Sequence, residues 1–135
     1  MCAIMGFTSP TLKEETVRPF FERTLSRGPD QTRVEPAGKG WLCFHRLAIM
    51  GLSEEGMQPF HLGGDMVVCN GEIYGFRPIR ERLIAEGETF ESESDCEILL
   101  PLYEREGLDM FRGLDAEFAM VIYDAKRGGL VAARD

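Results

Sequence analysis

The second residue of the chain is a cysteine, and at that position a cysteine can carry both halves of an acyl-transfer nucleophile. A thiol attacks a carbonyl as its thiolate, and an unperturbed pKa of about 8.5 leaves little of it ionised at neutral pH, so a base must assist. Once Met1 is removed, Cys2 has a free α-amine with a pKa of about 7.7–8.0, a base attached to the nucleophile itself. That is the N-terminal-nucleophile arrangement. Imidazole is the other usual base, and His45 and His61 are the two candidates. His61 lies in a glycine-rich stretch, QPFHLGG. His45 falls inside an apolar strand, where a satisfied core histidine is the plainer reading. The bland reading of Cys2 is equally simple: a small apolar residue that opens a strand.

Three other sites carry candidate chemistry. Arg46 sits in WLCFHRLAIM, apolar on both alternating faces, and a buried unpaired guanidinium would cost several kcal/mol. It needs a carboxylate, and its planar fork suits the two oxygens of an α-carboxylate. An internal ion pair with Asp95 or Glu72 would satisfy it as well. Asn70-Gly71 reads as a hairpin turn, or as an oxyanion hole with one side-chain amide donor and one backbone N–H. Glu72 and Asp95 could hold an ammonium group, although Asp95 could equally be an acid at a helix N-terminus. Cys43, Cys69 and Cys96 show no C-x-x-C pairing, and Cys43-x-His45 is a weak metal-ligand pair. No metal site is expected.

The elements that must position these residues follow from periodicity. Residues 3–8 read as a short buried strand. Residues 11–26 read as a helix with Leu12, Val17, Phe20, Phe21, Thr24 and Leu25 on one stripe, broken by Arg27-Gly28-Pro29-Asp30. Residues 41–50 and 65–69 are strands covered on both faces. A helix spans 76–86, with Pro78 in its first turn and Gly87 as its cap. A second helix starts at Ser94-Asp95-Cys96-Glu97, a capping-box pattern that Pro101 then kinks or shortens. Residues 116–124 and 129–135 are strands around a turn at 125–128. This order suits an α+β sandwich better than βαβ alternation.

Composition removes several function classes. The chain has 135 residues, enough for one cored domain, with 44% hydrophobic and 28% charged residues. A net charge of −8 argues against nucleic acid and against anionic membranes as partners. No apolar run is long enough for a membrane span, and MCAIMGFTSP has neither the basic region nor the apolar length of a secretory signal. The expectation is a cytoplasmic protein with reduced thiols.

Met1-Cys2-Ala3-Ile4-Met5-Gly6-Phe7, Arg27-Gly28-Pro29-Asp30, His45-Arg46-Leu47-Ala48-Ile49, Asn70-Gly71-Glu72-Ile73-Tyr74 and Ser94-Asp95-Cys96-Glu97 occur in an order and at a spacing that carry a resemblance. The chain resembles, over essentially its whole length, the class II (N-terminal nucleophile) glutamine amidotransferase domain of glutamine-hydrolysing asparagine synthetases. N-G-E-I-Y together with R-L-x-I separates this branch from the glucosamine-phosphate and purine-pathway amidotransferases of the same superfamily. Four departures stand out: Ala3 for Gly or Ser, Ser26 for His, Gly75 for Asn, and LDAEFAMVIYD for the usual L-x-G-M-F-A-F form.

The resemblance implies a four-layer αββα sandwich, the N-terminal nucleophile hydrolase fold. It implies hydrolysis of L-glutamine to glutamate and ammonia through a Cys2 thioester, with Asn70 and Gly71 as the oxyanion hole. Arg46 would take the α-carboxylate, with Leu47 to Met50 (Leu47, Ile49 and Met50 among them) lining the same wall, and Glu72 and Asp95 would take the α-ammonium. Arg27 to Asp30 would support the nucleophile without direct chemistry. It also implies that VAARD leads on to further glutaminase strands and to an ATP-dependent synthetase domain of the same chain that makes asparagine from aspartate. Residues 1–135 are then an incomplete glutaminase domain with no cofactor of its own, ATP and magnesium belonging to the synthetase domain. A homodimer of the full-length protein is a further expectation. A different ammonia acceptor, or a non-catalytic module keeping the fold, remains an alternative.

Overall fold

A computed structural model describes residues 1–49 and 53–135. Two antiparallel sheets form among them. The first has strand order β1-β3-β2, from β1 (Ala3–Thr8), β2 (Gln31–Ala37) and β3 (Gly40–Arg46). The second has order β4-β5-β6-β7, from β4 (Phe60–Leu62), β5 (Asp65–Ile73), β6 (Ala116–Asp124) and β7 (Gly129–Arg134). Helix α1 (Glu14–Phe21) covers the first sheet; α2 (Phe76–Ala85) and α3 (Leu99–Glu106) cover the second.

Strand alternation explains the layering, because successive side chains point to opposite faces. On β3, Leu42 and Phe44 meet Met66 and Val68 of β5 in a core between the sheets, joined by Ile4 and Val121. The other faces serve the helices. Cys43, Met5 and Ala3 pack on Val17 and Phe21 of α1. Val67, Cys69, Ile73, Met120 and Ile122 pack on Leu83, Leu99 and Leu102. Strands apolar on both faces are what this αββα sandwich requires, and the expected fold class is the one observed.

Several expected boundaries move. The helix expected over 11–26 is α-helical only from Glu14 to Phe21 and continues as a 3-10 helix over Glu22–Arg27. Pro19 lies within it and has no N–H to give to the preceding turn. Of its expected stripe, Val17 and Phe21 are buried while Leu12, Phe20 and Leu25 are exposed. The strand expected to reach residue 50 ends at Arg46, where its partners end: β1 begins opposite His45 and β2 opposite Arg46.

Asn70-Gly71 is not a hairpin turn. Strand β5 runs straight through it to Ile73, pairing Asn70 with Ala119 and Gly71 with Phe118. The capping box at Ser94 is half made: the Ser94 hydroxyl accepts from Cys96 N–H at 3.3 Å, but Glu97 turns to Glu91 N–H, Ser92 N–H and the Ser92 hydroxyl. The segment is a 3-10 turn over Asp95–Ile98 before α3 begins, which puts Pro101 harmlessly in the first turn of that helix. Strands β2 and β4 were not expected. Both are edge strands, β2 carrying Pro36 and three polar or charged residues at its start, and β4 only three residues long.

Candidate active site

The inter-sheet core turns polar at one end. Along the inner face of β3 the series Leu42, Phe44 ends in Arg46; along the inner face of β5 the series Met66, Val68 continues as Asn70 and Glu72. Cys2, two residues before Ile4, belongs to the same face of the first sheet. The sandwich therefore opens here into a cleft of about 520 Å³ lined by Cys2, Arg46, Leu47, Ile49 and Asn70. Gly71, Glu72 and Asp95 complete the set. Cys2, Arg46, Leu47, Ile49, Asn70, Gly71, Glu72 and Asp95 share this one cavity, although they span most of the chain. Met50 lies outside the described residues.

Cys2 is held where β1 approaches the end of β3. Its Sγ is 3.4 Å from Leu47 N, which donates to it, and 3.6 Å from Leu47 O. It is the half-buried cysteine; Cys43, Cys69 and Cys96 are buried. Burial pushes the Cys43 thiol up to about 12. The Cys96 thiol is raised well above the ordinary range by its hydrogen bond with Cys69 and by burial. Neither is poised to form a thiolate.

The Arg27–Asp30 loop clamps the same corner. Arg27 Nε donates to Cys2 O at 3.2 Å, Asp30 N donates to Arg46 O at 3.0 Å, and Asp30 Oδ2 accepts from Ala48 N at 2.8 Å. Gly28 is pressed against β3 so closely that a Cβ there would stand 2.3 Å from His45 O. Arg46 is 4% exposed, and its Nη1 donates to Gln31 Oε1 and Ser53 O, each at 2.9 Å. These are two neutral oxygens, a side-chain amide and a backbone carbonyl.

The far wall is β5. Hydrogen-bonding directions alternate along an antiparallel strand, so Val67, Cys69, Gly71 and Ile73 address one edge and the residues between them address β6. On that edge Val67 pairs with Phe60 of β4. Beyond it, side chains take over: Gln58 bonds Cys69, and Asp95 Oδ2 accepts from Ile73 N at 2.7 Å. The Gly71 N–H is directed to the same edge, between those two supports. A side chain at Gly71 would run into β6, its Cβ 2.3 Å from Glu117 O.

The histidines play no part here. His45 is fully buried on the opposite face of β3, stacked on Phe21 with ring centroids 3.8 Å apart. Its Nε2 donates to the Phe21 carbonyl at 3.1 Å, and its Nδ1 accepts from the Thr32 hydroxyl at 2.8 Å. Exposed His61 pairs with Glu35 at 2.8 Å in a separate cavity. Among the described residues no cluster of His, Cys, Asp and Glu is arranged to hold a metal ion, and no helix is long and apolar enough to cross a membrane. Sequence reading missed Gln31, Ser53 and Gln58. Their signal was weak: polar residues beside strands, each acting through one amide or carbonyl.

Comparison with known proteins adds the lineage. Relatives include a probable glutamine-hydrolysing asparagine synthetase of Dictyostelium discoideum, 38% identical, matching 100% of this chain and 25% of its own length. Amidase chyE of Penicillium rubens is 45% identical over 81% of this chain and 16% of its own length. The chain thus spans about a quarter of the first relative and less of the second. Among solved structures, the glutamine phosphoribosylpyrophosphate amidotransferase of B. subtilis, complexed with ADP and GMP, superposes with a TM-score of 0.60 over 73% of this chain and 23% of that one. At 21% identity that likeness concerns the fold. With the family model for the glutamine amidotransferase domain matching residues 1–135, the whole of the chain, this protein belongs to the glutamine amidotransferase domain family.

Proposed function

We propose that this domain hydrolyses L-glutamine to glutamate and ammonia with Cys2 as nucleophile, and that the ammonia serves an amidation carried out elsewhere in a longer protein. The observation that carries the reading is the half-buried Cys2 thiol sharing one cleft with buried Arg46 and with the Asn70-Gly71 stretch of β5.

Arg46 holds the α-carboxylate of glutamine through guanidinium N–H groups, against a wall made by Leu47 and Ile49. Glu72 and Asp95 hold the α-ammonium. The γ-carboxamide then lies over Cys2. The free α-amine of Cys2 takes the thiol proton as sulfur attacks the amide carbon, and the oxygen of the tetrahedral intermediate accepts from the Asn70 side-chain amide and the Gly71 N–H. One such donor lowers the barrier by about 2.7–4 kcal/mol. The C–N bond breaks, the α-amine passes its proton to the leaving nitrogen, and ammonia departs from a thioester. Water, deprotonated by the same amine, releases glutamate.

The names of the asparagine synthetase relatives support asparagine formation as the use of that ammonia; aspartate as the acceptor, with ATP and magnesium in a synthetase domain, is part of the proposal. The amidase names among the relatives favour a second reading in which the acceptor differs. The test uses the full-length protein in two forms, one with Met1 removed and one with an uncleavable N-terminal extension. Ammonia release from L-glutamine is expected only from the first. Equal release from both would remove the α-amine from the mechanism, and none from either would remove the glutaminase reading.

A further inference from the structure

We propose that Gln58 is a positioning residue for the oxyanion-stabilising segment of β5, an inference that rests on the glutamine-hydrolysing reading above. Strand β4 pairs with β5 in the register Phe60↔Val67 and Leu62↔Asp65. Carried two residues further, that register sets Gln58 opposite Cys69. Backbone pairing does not continue there, because strand β4 stops at Phe60. The Gln58 carboxamide does the work instead. Its Oε1 accepts from Cys69 N at 2.6 Å and its Nε2 donates to Cys69 O at 3.1 Å, the two-point pattern a neighbouring strand would supply.

The consequence falls on the next two residues. Both backbone groups of Cys69 are held by Gln58, while its neighbours Val68 and Asn70 address β6 opposite Val121 and Ala119. The Cys69 carbonyl belongs to the peptide plane that includes Asn70 N, so fixing that carbonyl fixes the entry of the chain into Asn70-Gly71. The next support on the same edge is Asp95 at Ile73. Gln58 and Asp95 thus bracket the two oxyanion donors. Gln58 is 5% exposed and lines the cleft, so water competes poorly for its amide. The residue before it is tethered by the Arg33 guanidinium, whose Nη1 donates to Met57 O at 3.5 Å.

The test compares Gln58→Glu and Gln58→Leu with wild type in the full-length, Met1-processed protein. Glutamate keeps the size and the acceptor for Cys69 N–H but sets an oxygen against Cys69 O; leucine removes both bonds. In both variants kcat for glutamine hydrolysis is expected to fall about ten- to a hundredfold, with KM for glutamine within about threefold, because the groups that hold the α-carbon substituents lie elsewhere. Affinity for an aldehyde analogue of glutamine, which forms a tetrahedral adduct at Cys2, should fall in step with kcat, while affinity for L-glutamate stays constant. Unchanged kcat in folded variants overturns the inference. So do parallel changes in aldehyde and glutamate affinity, or a loss of folding in both variants, which would make Gln58 purely structural. A wild-type enzyme that releases no ammonia from glutamine would instead sink the glutaminase reading itself.

Discussion

The sulfur of Cys2 rests against the backbone of Leu47, 3.4 Å from its nitrogen and 3.6 Å from its oxygen. The second residue of the chain and the residue directly after Arg46 are therefore one contact apart. In the proposed reaction this joins the nucleophile to the wall that holds the α-carboxylate. Replacing Cys2 by alanine removes one sulfur from a cleft and little packing. In the full-length protein, Cys2→Ala should bind glutamine, reduce its hydrolysis to background, and still support product formation from added ammonium salt. A paired assay with glutamine and with ammonium chloride checks this. Glutamine-dependent turnover near the wild-type rate would place the nucleophile elsewhere; loss of both activities would make Cys2 structural.

Arg46 engages Gln31 Oε1 and Ser53 O through Nη1. Lysine keeps the charge but not the fork, so it cannot hold those oxygens and a carboxylate together. For Arg46→Lys we expect KM for glutamine to rise about ten- to a hundredfold, the equivalent of roughly 1.5–3 kcal/mol for a charged hydrogen bond, with a smaller change in kcat. Steady-state kinetics at saturating co-substrates measure the split. An unchanged KM returns Arg46 to a structural role.

Asp95 has a structural bond as well as its proposed substrate contact, and two substitutions separate them. Asparagine can still accept from Ile73 N–H but carries no charge, so Asp95→Asn should weaken glutamine binding with little loss of stability. Alanine leaves the Ile73 N–H unsatisfied, so Asp95→Ala should also lose about 1–3 kcal/mol in chemical denaturation. Equal destabilisation by both would show that the charge, not the hydrogen bond, supports the fold.

Far from the cleft, the Tyr103 hydroxyl donates to Asp124 Oδ2 at 2.8 Å. Burial works to raise the Asp124 carboxyl, but the N–H groups of Arg127 and Lys126, the Tyr103 hydroxyl and the Arg127 charge outweigh it and hold the group below its usual range. Burial and the same hydrogen bond push Tyr103 up to about 12. A depressed carboxyl contributes stability above its unfolded value near 3.8 and loses it as pH falls through the folded value. The raised phenol contributes stability below its unfolded value near 10, lost as pH rises towards 12. Tyr103→Phe should therefore cost about 1.5–3 kcal/mol at neutral pH and shrink the stability lost on acidification. Denaturant titrations at pH 7 and pH 3 read both effects, and an identical loss at the two values would refute the coupling.

The candidate site residues were legible as a set. A cysteine at position 2, an arginine in a doubly apolar strand and an acid ahead of a helical segment each left a bland reading open, and their order and spacing carried the resemblance. The strands apolar on both faces likewise announced a core covered twice, since alternation along β3 and β5 depends only on the order of residues. Edge strands gave no such signal: β2 and β4 are defined by the partner they pair with, and their own composition is polar or too short.

The open readings were decided by long-range contacts. Asn70-Gly71 has the composition of a hairpin turn, and it is extended because β6 pairs across it through Ile73↔Ala116 and the chain runs on from β5 into α2. His45 is a core residue because Phe21 and Thr32 happen to reach its ring. Gln58 matters only because the register of β4 brings it opposite Cys69, eleven residues further on. The sequence by itself determined which groups could react and which faces had to be buried, because those properties belong to single residues and their spacing. The tertiary structure alone decided which of them meet, because hydrogen bonds between distant segments exist only after the chain has closed.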